Sequence, residues 1–226
     1  VDRFITMSEK VLADLRLFSA SKPARLIPHP LYDNFGEKVS KSAAREHLNI
    51  GNDEHIILFF GFIRKYKGLD ILLDAMRLIR ENAPGIAQPK LLIAGEFYDD
   101  SKTYDEQINR LGIADSLMRT AFIPNSEVRY YFCAADLVVQ PYRNATQSGV
   151  TPLAYHFEVP MVVTNVGGLP GMVPDGKAGL VAEPTAASLA EKIITFFRKG
   201  ESGFMPHLLL EKKKYSWDKL VEGILN

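Results

Sequence analysis

Two loops of this chain carry the residue types that bind phosphate. Arg64 and Lys67 lie within the glycine-bounded loop 61–68, directly after an apolar run. The second loop, residues 141–151, is rich in small polar residues and leads into a predicted helix that begins near Ser148. The first backbone N–H groups of a helix have no partner within the helix and favour a bound anion. The two loops together therefore predict a site for a phosphorylated ligand.

Neither loop is sufficient alone. A helix N-terminus stabilises an anion by only about 0.3–1 kcal/mol, whereas each charge-assisted hydrogen bond contributes roughly 1.5–3 kcal/mol. Micromolar affinity needs about 8 kcal/mol. The helix start therefore requires Arg64 and Lys67 as partners, while the 61–68 loop taken by itself is more typical of a solvated turn.

Short apolar runs separated by helical patterns indicate how these loops are positioned. Buried parallel strands are predicted at HIILFF (55–60), KLLIAG (90–95), DLVVQP (136–141) and MVVT (161–164). A further unit begins at Met118, and GLVAE (179–183) is predicted to form a short strand. The alternation predicts an α/β fold, a doubly wound Rossmann-like parallel sheet with helices on both faces. Ligands of such sheets bind beyond the carboxyl ends of the strands, so both loops are expected at one edge.

The two ends of the chain depart from this alternation. Residues 1–27 combine a strand-like and a helical stretch, as expected for the join from a preceding domain. Residues 28–200 form the predicted Rossmann-like domain, and residues 201–226 are predicted to form an amphipathic helix with Trp217 among its apolar anchors. Because the sequence begins with Val1 rather than Met, we expect a processed chain or a fragment.

The composition excludes several classes of protein. Lys and Arg number 27, as do Asp and Glu, so the formal net charge of zero provides no overall field toward nucleic acid or anionic lipid. The single cysteine, Cys133, cannot form an internal disulfide and is expected in the core of a cytoplasmic protein. No apolar run reaches the roughly 18 residues of a membrane-spanning helix, and no secretory leader is visible, so we expect no transmembrane segment.

Other ligand motifs are missing or incomplete in the sequence. Residues 171–178 approach the spacing of a P-loop, but the last position is Ala178 and the turn leads into a strand rather than a helix. The dinucleotide spacing of three glycines is missing, and the five histidines show no metal-ligand spacing, so we expect neither a metal ion nor a cofactor. Two alternatives stay open. Glu96 either contacts the ligand or is a solvent-exposed loop residue. Gly167 and Gly168 either let the backbone approach the ligand or form a turn that requires a positive φ.

Four ordered segments resemble one enzyme family. The C-terminal nucleotide-sugar-binding domain of group 1 (family 4) glycosyltransferases is similar to FFGFIRKYKGLDILLDA, KLLIAGEF, AADLVVQPYRNATQSGVTPLAYHFEVPMVVTNVGGLP and VPDGKAGLVAEP, over about His55 to Arg198. The resemblance implies the GT-B architecture, in which two Rossmann-like domains flank the active site. It also implies metal-independent transfer of a sugar from a nucleotide diphosphate donor, with retention of configuration at the anomeric carbon.

The resemblance also implies roles for individual residues. Lys67 matches a lysine that contacts the donor diphosphate, and Arg64 replaces an arginine whose usual position holds Phe62. Both cations are implied to be catalytic, because they stabilise negative charge on the departing nucleotide diphosphate. The implied substrate-binding residues are Gly61, Phe62, Glu96, Phe122, Ile123, Pro124, Thr146, Gln147, Ser148, Gly149, Val150 and Thr151.

Three further positions depart from the family pattern. The family usually has two glutamates eight residues apart, one near the transferred sugar and one on the ribose, and Ala145 and Leu153 stand in their places here. This variant offers Thr146 and Gln147 for the hydroxyls of the donor sugar instead. Gly171 likewise stands where a glutamate is common in the family.

The resemblance leaves the acceptor to another part of the protein. A glycan or lipid-linked acceptor and the family's catalytic histidine normally belong to an N-terminal domain, of which residues 1–27 are the expected remnant. We expect these 226 residues alone to bind the nucleotide-sugar but to transfer sugar poorly. The expected location is the cytoplasm, with peripheral attachment at the inner membrane face as an option.

Two other functions stay open at this stage. The apolar Leu153 in place of a glutamate favours a non-catalytic nucleotide-binding or partner module. The GT-B architecture also accommodates a sugar-nucleotide epimerase.

Overall fold

A six-stranded parallel sheet forms the centre of the protein. The computed structural model describes residues 2–19, 21–83, 88–98 and 100–225. Its strands are β1 (Phe4–Thr6), β2 (Ala24–Leu26), β3 (Ile56–Phe60), β4 (Lys90–Ala94), β5 (Leu117–Thr120), β6 (Leu137–Gln140), β7 (Met161–Thr164) and β8 (Gly179–Ala182). The strand order of the large sheet is β5-β4-β3-β6-β7-β8, and every neighbouring pair is parallel. Val1 and Asn226, at the ends of the predicted first strand and last helix, lie outside the described residues.

Helices cover both faces of this sheet. They are α1 (Glu9–Phe18), α2 (Lys41–His47), α3 (Leu69–Asn82), α4 (Lys102–Leu111), α5 (Val128–Ala134), α6 (Val150–His156), α7 (Leu169–Met172), α8 (Ala186–Lys199), α9 (Met205–Lys212) and α10 (Trp217–Leu225). Residues from α5 and α6 belong to the core on one face, and residues from α3 and α8 to the core on the other. The predicted doubly wound α/β fold is therefore confirmed.

The side chains of β3 show why two cores form. Because successive residues of a strand point to opposite faces, Ile56 and Leu58 pack in one core, and Ile57 and Phe59 pack in the other. All four are buried. A strand buried on both faces must be apolar throughout, which is why the sequence pattern located β3 within one residue of its observed start.

The strand order places the two predicted loops side by side. The chain runs outward from β3 to β4 and β5, and then continues on the other side of β3 with β6, β7 and β8. The gap between β3 and β6 is therefore the topological switch point, where doubly wound sheets bind their ligands. The loop 61–68 follows β3 and the loop 141–149 follows β6. The expectation that they share one edge is confirmed.

The first segment forms a small separate sheet. Strands β1 and β2 pair in parallel, with Phe4 opposite Ala24, and α1 connects them. Neither strand is hydrogen-bonded to the six-stranded sheet. Helix α10 lies against this unit, since a Cβ atom placed on Gly223 would be only 2.4 Å from the Cδ1 atom of Ile27. The first and last segments of the described chain therefore pack together.

The last segment differs from its prediction. A single amphipathic helix is expected over residues 201–226, but α9 and α10 are separated by a turn at residues 213–216. In that turn Tyr215 is buried and stacks on Tyr155, with ring centroids 4.9 Å apart. The Ser216 Oγ atom then accepts a hydrogen bond from the Lys219 N–H group at 3.2 Å and caps the new helix.

None of the helices formed by the described residues is both long enough and apolar enough to cross a membrane.

One glycine fixes the spacing between the two loops. Gly68 has a φ of 67°, and a Cβ atom at this position would lie 2.0 Å from the carbonyl oxygen of Pro141. The backbone after β3 therefore touches the backbone after β6. A side chain at residue 68 would force the two loops apart.

We expect Gly68→Ala to lower the free energy of unfolding by about 3 kcal/mol or more, because it adds a steric clash to an unfavourable left-handed backbone. The matched control is Gly112→Ala. Gly112 has a similar φ of 63°, but a Cβ atom there would meet no other atom within 4 Å. The control should lose only about 1 kcal/mol. Urea denaturation measures both values, and equal losses would show that the contact with Pro141 is unimportant.

Candidate functional site

A cavity of about 550 Å³ opens at the carboxyl edge of the sheet. Its wall includes Phe60 and Ala94, the last residues of β3 and β4, and Tyr142, which follows β6. This is the position at which doubly wound sheets bind ligands. The predicted site residues that line it are Gly61, Phe62, Lys67, Glu96, Phe122, Ile123, Gln147, Ser148, Gly149 and Val150.

Lys67 is the buried cation of this cavity. Its side chain lies in a turn of 3-10 helix at Lys65–Lys67, and the residue is only 8% exposed. The Nζ atom donates a long hydrogen bond to the Phe60 carbonyl at 3.4 Å. Burial, together with the charge of nearby Arg64, lowers the pKa of Lys67 from 10.5 to about 8. The surroundings of Lys67 therefore disfavour the charged ammonium form of its side chain.

Lys67 has no acidic partner in the described part of the chain. Its one recorded polar contact is with a carbonyl oxygen, and Glu96 is the single carboxylate among the described residues that line the cavity. Buried ammonium groups in proteins are normally paired with an anion. An anionic ligand in this cavity would supply the missing charge.

The turn that carries Lys67 is fixed by the loop after β6. The Arg143 N–H group donates to the Tyr66 carbonyl at 2.7 Å, and the Arg143 side chain forms an ion pair with Asp70 at the start of α3. These contacts join the two sides of the switch point. They hold Lys67 beside the loop that contains the other predicted site residues.

The loop after β4 is held against the loop after β3. The Gly61 N–H group donates to the Ala94 carbonyl at 2.8 Å, and the Ile63 N–H group donates to the Glu96 carbonyl at 2.7 Å. The parallel ladder is thus extended beyond the ends of the strands. As a result Phe62 and Glu96 have fixed backbones at the cavity wall.

Arg64 lies elsewhere than predicted. It does not line the cavity formed by the described residues, and its side chain is exposed. The guanidinium carbon lies over the ring of Tyr98, 4.0 Å from the ring centroid, which is a cation–π contact. The charge of Arg64 still lowers the pKa of Lys67, so the two cations are close enough to interact.

Helix α6 begins two residues later than the predicted start at Ser148. The Ser148 Oγ atom accepts a hydrogen bond from the Val150 N–H group at 3.1 Å, and Pro152 has no N–H group. The amides of Gly149 and Thr151 have no protein acceptor among the described residues. The predicted row of open amides is therefore shorter than expected, and α6, at 7 residues, is a short helix.

Three other predicted residues also lie outside the cavity wall. Pro124 and Thr146 are exposed and do not line the cavity. Thr151 is fully buried, and its Oγ1 atom donates to the Gln140 Oε1 atom at 3.1 Å. The hydroxyl of Thr151 therefore joins α6 to β6 and is not directed at a ligand.

The glycine pair after β7 has a structural role. Gly167 has a φ of 53°, and a Cβ atom there would overlap the Ala145 carbonyl oxygen at 1.4 Å. The Gly168 N–H group donates to the same oxygen at 3.3 Å. Of the two alternatives for this pair, the structure supports the turn, which lets the 145–146 backbone pack closely.

One side of the cavity is formed by a segment that was not predicted from the sequence to belong to the site. Tyr32, Asn34 and Phe35, from the segment between β2 and α2, line it. A Cβ atom on Gly149 would lie 3.6 Å from the Tyr32 Oη atom, so this segment reaches the start of α6. Only two aromatic residues in a proline-rich stretch could have indicated this role. Other lining residues that were not predicted are Tyr66, Gly95, Asn125, Val128 and Tyr142.

Among the described residues, no three His, Cys, Asp or Glu side chains come together in an arrangement that could hold a metal ion. The expectation that no metal is needed stays a prediction.

A comparison with protein families decides the classification. The family model for glycosyl transferases group 1 matches residues 40–203, which include both loops and all six strands of the large sheet. This chain belongs to the glycosyl transferases group 1 family. The predicted resemblance is confirmed.

Relatives of this group 1 domain are much longer proteins. A D-inositol 3-phosphate glycosyltransferase from Segniliparus rotundus is 27% identical over 99% of this chain and 51% of its own length. The protein of the same name from Mycobacteroides abscessus is 28% identical over 100% of this chain and 51% of its own length. The chain spans about half the length of the curated relatives that it matches.

Solved structures share the fold of this group 1 domain. HepE from Anabaena, in complex with UDP, has a TM-score of 0.85 and 19% identity, covering 100% of this chain and 63% of that protein. Sucrose-phosphate synthase from Thermosynechococcus elongatus has a TM-score of 0.79 and 23% identity over 100% of this chain and 57% of that one. The C-terminal domain of a group 1 family protein from Francisella tularensis has a TM-score of 0.67 and 19% identity, covering 81% of this chain and 97% of that domain. These similarities show the fold expected for a GT-B domain.

Of the three positions that lack the family glutamates, Leu153 alone lines the cavity formed by the described residues. Leu153, which replaces a family glutamate, is 5% exposed and lines the wall. Ala145 replaces the other glutamate of the family pair, and its carbonyl oxygen packs against Gly167. The cavity is thus more apolar than the family pattern predicts.

We expect Lys67→Met to stabilise the free protein at pH 7 by about 1–3 kcal/mol, because a buried, unpaired ammonium is removed. Because the pKa of Lys67 is lowered to about 8, its charged form reduces the free energy of unfolding by the full amount below pH 8. This reduction becomes smaller as the pH rises from 8 toward 10.5. The gain should therefore shrink between pH 7 and pH 10. Urea denaturation at both pH values measures it.

The control for this prediction is Lys65→Met, because Lys65 is exposed in the same turn. It should change the free energy of unfolding by less than about 0.5 kcal/mol at either pH. A Lys67→Met protein that is less stable than wild type at pH 7 would contradict the prediction.

Proposed function

We propose that this chain is the donor-binding part of a retaining glycosyltransferase, and that its cavity holds the diphosphate of a nucleotide-sugar. The observation that carries the proposal is the ammonium of Lys67, which is buried in the cavity without a carboxylate partner among the described residues. Membership of the glycosyl transferases group 1 family supports the sugar-transfer chemistry. The similarity to HepE, whose complex contains UDP, supports a nucleotide as the anion.

The proposed catalysis is electrostatic. The bond between the anomeric carbon of the sugar and the diphosphate oxygen breaks, and its electron pair leaves with the nucleotide diphosphate. Lys67 then faces more negative charge than in the bound donor, so it stabilises the transition state more than the ground state. A hydroxyl oxygen of the acceptor forms the new bond to the anomeric carbon on the face that the diphosphate leaves, and the proton of that hydroxyl passes to the departing diphosphate oxygen.

Arg64 is proposed as a second, weaker contributor. Its guanidinium is exposed over Tyr98 rather than in the cavity, so it acts on the diphosphate through its field or after a rotation of the side chain. The influence of Arg64 on the pKa of Lys67 supports this proximity. Solvent screening reduces the effect of an exposed charge, so Arg64 should matter less than Lys67.

The remaining wall is proposed to hold the base and the sugar. Phe122 and Ile123 border the base, and Gln147 offers hydrogen bonds to sugar hydroxyls beside the start of α6. Glu96 is the carboxylate available for a hydroxyl pair, since Leu153 cannot accept hydrogen bonds. Thr146 lies outside the wall and would need to move to take part.

The acceptor is proposed to be held by another domain of the whole protein. Leu17 and Phe18 at the end of α1 are 82% and 89% exposed, and the small β1–β2 sheet has edges free of other described strands. Such surfaces are typical of an interface with a further domain. That domain is proposed to hold a glycan or lipid-linked acceptor, in the cytoplasm or at the inner membrane face.

A second candidate is a nucleotide-binding module without transfer activity. It is favoured by Leu153, whose apolar side chain occupies the wall where the family has a glutamate. Turnover of the nucleotide-sugar by the whole protein separates the two. A transferase loses turnover in the double variant Arg64→Ala with Lys67→Ala, whereas a binding module has no turnover to lose.

We expect one of UDP, GDP or ADP to raise the melting temperature of the chain. At 100 times the dissociation constant, the gain is about 2.7 kcal/mol, which corresponds to roughly 5–10 °C for a chain of this size. Lys67→Met should abolish the shift and Lys65→Met should retain it. A flat response to all three nucleotides and their sugars would overturn the proposed function.

The affinity for that nucleotide should fall as the pH rises through about 8. Free Lys67 loses its proton there, and only the ammonium form pairs with the diphosphate. The dissociation constant should be constant between pH 7 and 7.5, and then increase by up to about tenfold per pH unit. Titration calorimetry measures this profile. Constant affinity from pH 7 to 9.5 would show that Lys67 is not the partner of the anion.

A further inference from the structure

Two buried hydroxyl groups meet beside Lys67 in the cavity wall. The Tyr142 Oη and Ser148 Oγ atoms are 3.2 Å apart, and the two residues are 3% and 6% exposed. The Lys67 Nζ atom lies 5.8 Å from the centroid of the Tyr142 ring, within the range of a cation–π contact. All three residues line the cavity. Any diphosphate paired with Lys67 would therefore lie near this hydroxyl pair.

Counting hydrogen atoms limits the possible arrangements. A serine hydroxyl has one hydrogen to donate and can accept two hydrogen bonds. The Ser148 Oγ atom already accepts from the Val150 N–H group at 3.1 Å. If Tyr142 also donates to it, both acceptor positions are filled. The hydrogen of Ser148 is then left to donate to a third group.

Each arrangement leaves one hydroxyl hydrogen without an acceptor among the described residues, on Ser148 in the first case and on Tyr142 in the second. If Ser148 donates to Tyr142, the phenol hydrogen needs another partner, and in the described part of the chain Ser148 is the recorded side-chain partner of Tyr142. Burial also raises the pKa of Tyr142 well above its ordinary value, so the phenol keeps its hydrogen at working pH. Because a phenol is a stronger hydrogen-bond donor and a weaker acceptor than an aliphatic hydroxyl, the direction from Tyr142 to Ser148 is favoured.

We infer that Tyr142 is a positioning residue, whose hydroxyl donates to Ser148 and so directs the Ser148 O–H group into the cavity, where it donates to a phosphate oxygen of the ligand. The inference rests on the proposed function, since it needs a phosphorylated ligand beside Lys67.

The surroundings of Tyr142 keep its hydroxyl in place. The buried Thr164 Oγ1 atom donates to the Tyr142 carbonyl at 2.6 Å, which ties its backbone to β7. The ring of Tyr66 packs edge-on against the Tyr142 ring, with centroids 5.9 Å apart. A phenol fixed at both ends can orient a neighbouring hydroxyl before the ligand arrives, which reduces the ordering that binding requires.

The test is a double-mutant cycle with the nucleoside diphosphate that binds best among UDP, GDP and ADP. Tyr142→Phe keeps the ring and its contact with Lys67, and should weaken binding about fivefold. Ser148→Ala should weaken it about 10- to 100-fold, because a hydrogen bond to a charged group is lost. In the Ser148→Ala background, Tyr142→Phe should have no further effect, since its action passes through Ser148.

Tyr155→Phe is the matched control. It also removes a buried tyrosine hydroxyl, which donates to the Met172 carbonyl at 2.6 Å, but Tyr155 does not line the cavity. It should lower the melting temperature without changing affinity. The inference is overturned if Tyr142→Phe binds like wild type, or if its effect is equal in both backgrounds. If wild type binds none of the three nucleotides, the proposed function fails and the inference with it.

Discussion

The site depends on one unfavourable arrangement, a lysine ammonium that is buried without a carboxylate partner in the part of the chain that the structure describes. Such a group costs free energy in the free protein, and a nearby acidic residue would remove that cost. The structure instead holds Lys67 in place through backbone contacts. Gly68 touches the Pro141 carbonyl and Arg143 donates a hydrogen bond to the turn, so the backbone that carries Lys67 is fixed beside the loop after β6. The protein is thus arranged to receive an anion.

Much of the fold follows from sequence because a strand buried on both faces must be apolar throughout. The runs ending at Phe60, Ala94 and Gln140 could be located for this reason, and their order along the chain set the position of the site. The break between α9 and α10 was not predicted. It depends on Tyr215 packing against Tyr155, a contact between residues 60 positions apart in the sequence that no local pattern encodes.

The site was predicted less completely than the fold. Lys67 and the 147–150 segment lie where the sequence placed them, because each directly follows a strand of known direction. Spacing could not show that Arg64 faces Tyr98, since the side chain of a loop residue takes its direction from tertiary contacts. It also could not show that the segment containing Tyr32 closes one side of the cavity. Loops that fold back over a sheet carry no periodic signal.

The chain crosses between the small β1–β2 unit and the large sheet twice, and the two crossings lie side by side. The Leu31 N–H group donates to the Tyr215 carbonyl at 2.8 Å, and Gly223 lets α10 pack against Ile27 just beyond that bond. The hydrogen bond joins the outgoing and the returning segment of the chain, so the two crossings are tied to each other. Displacing one of them relative to the large sheet requires breaking this bond or displacing the other with it.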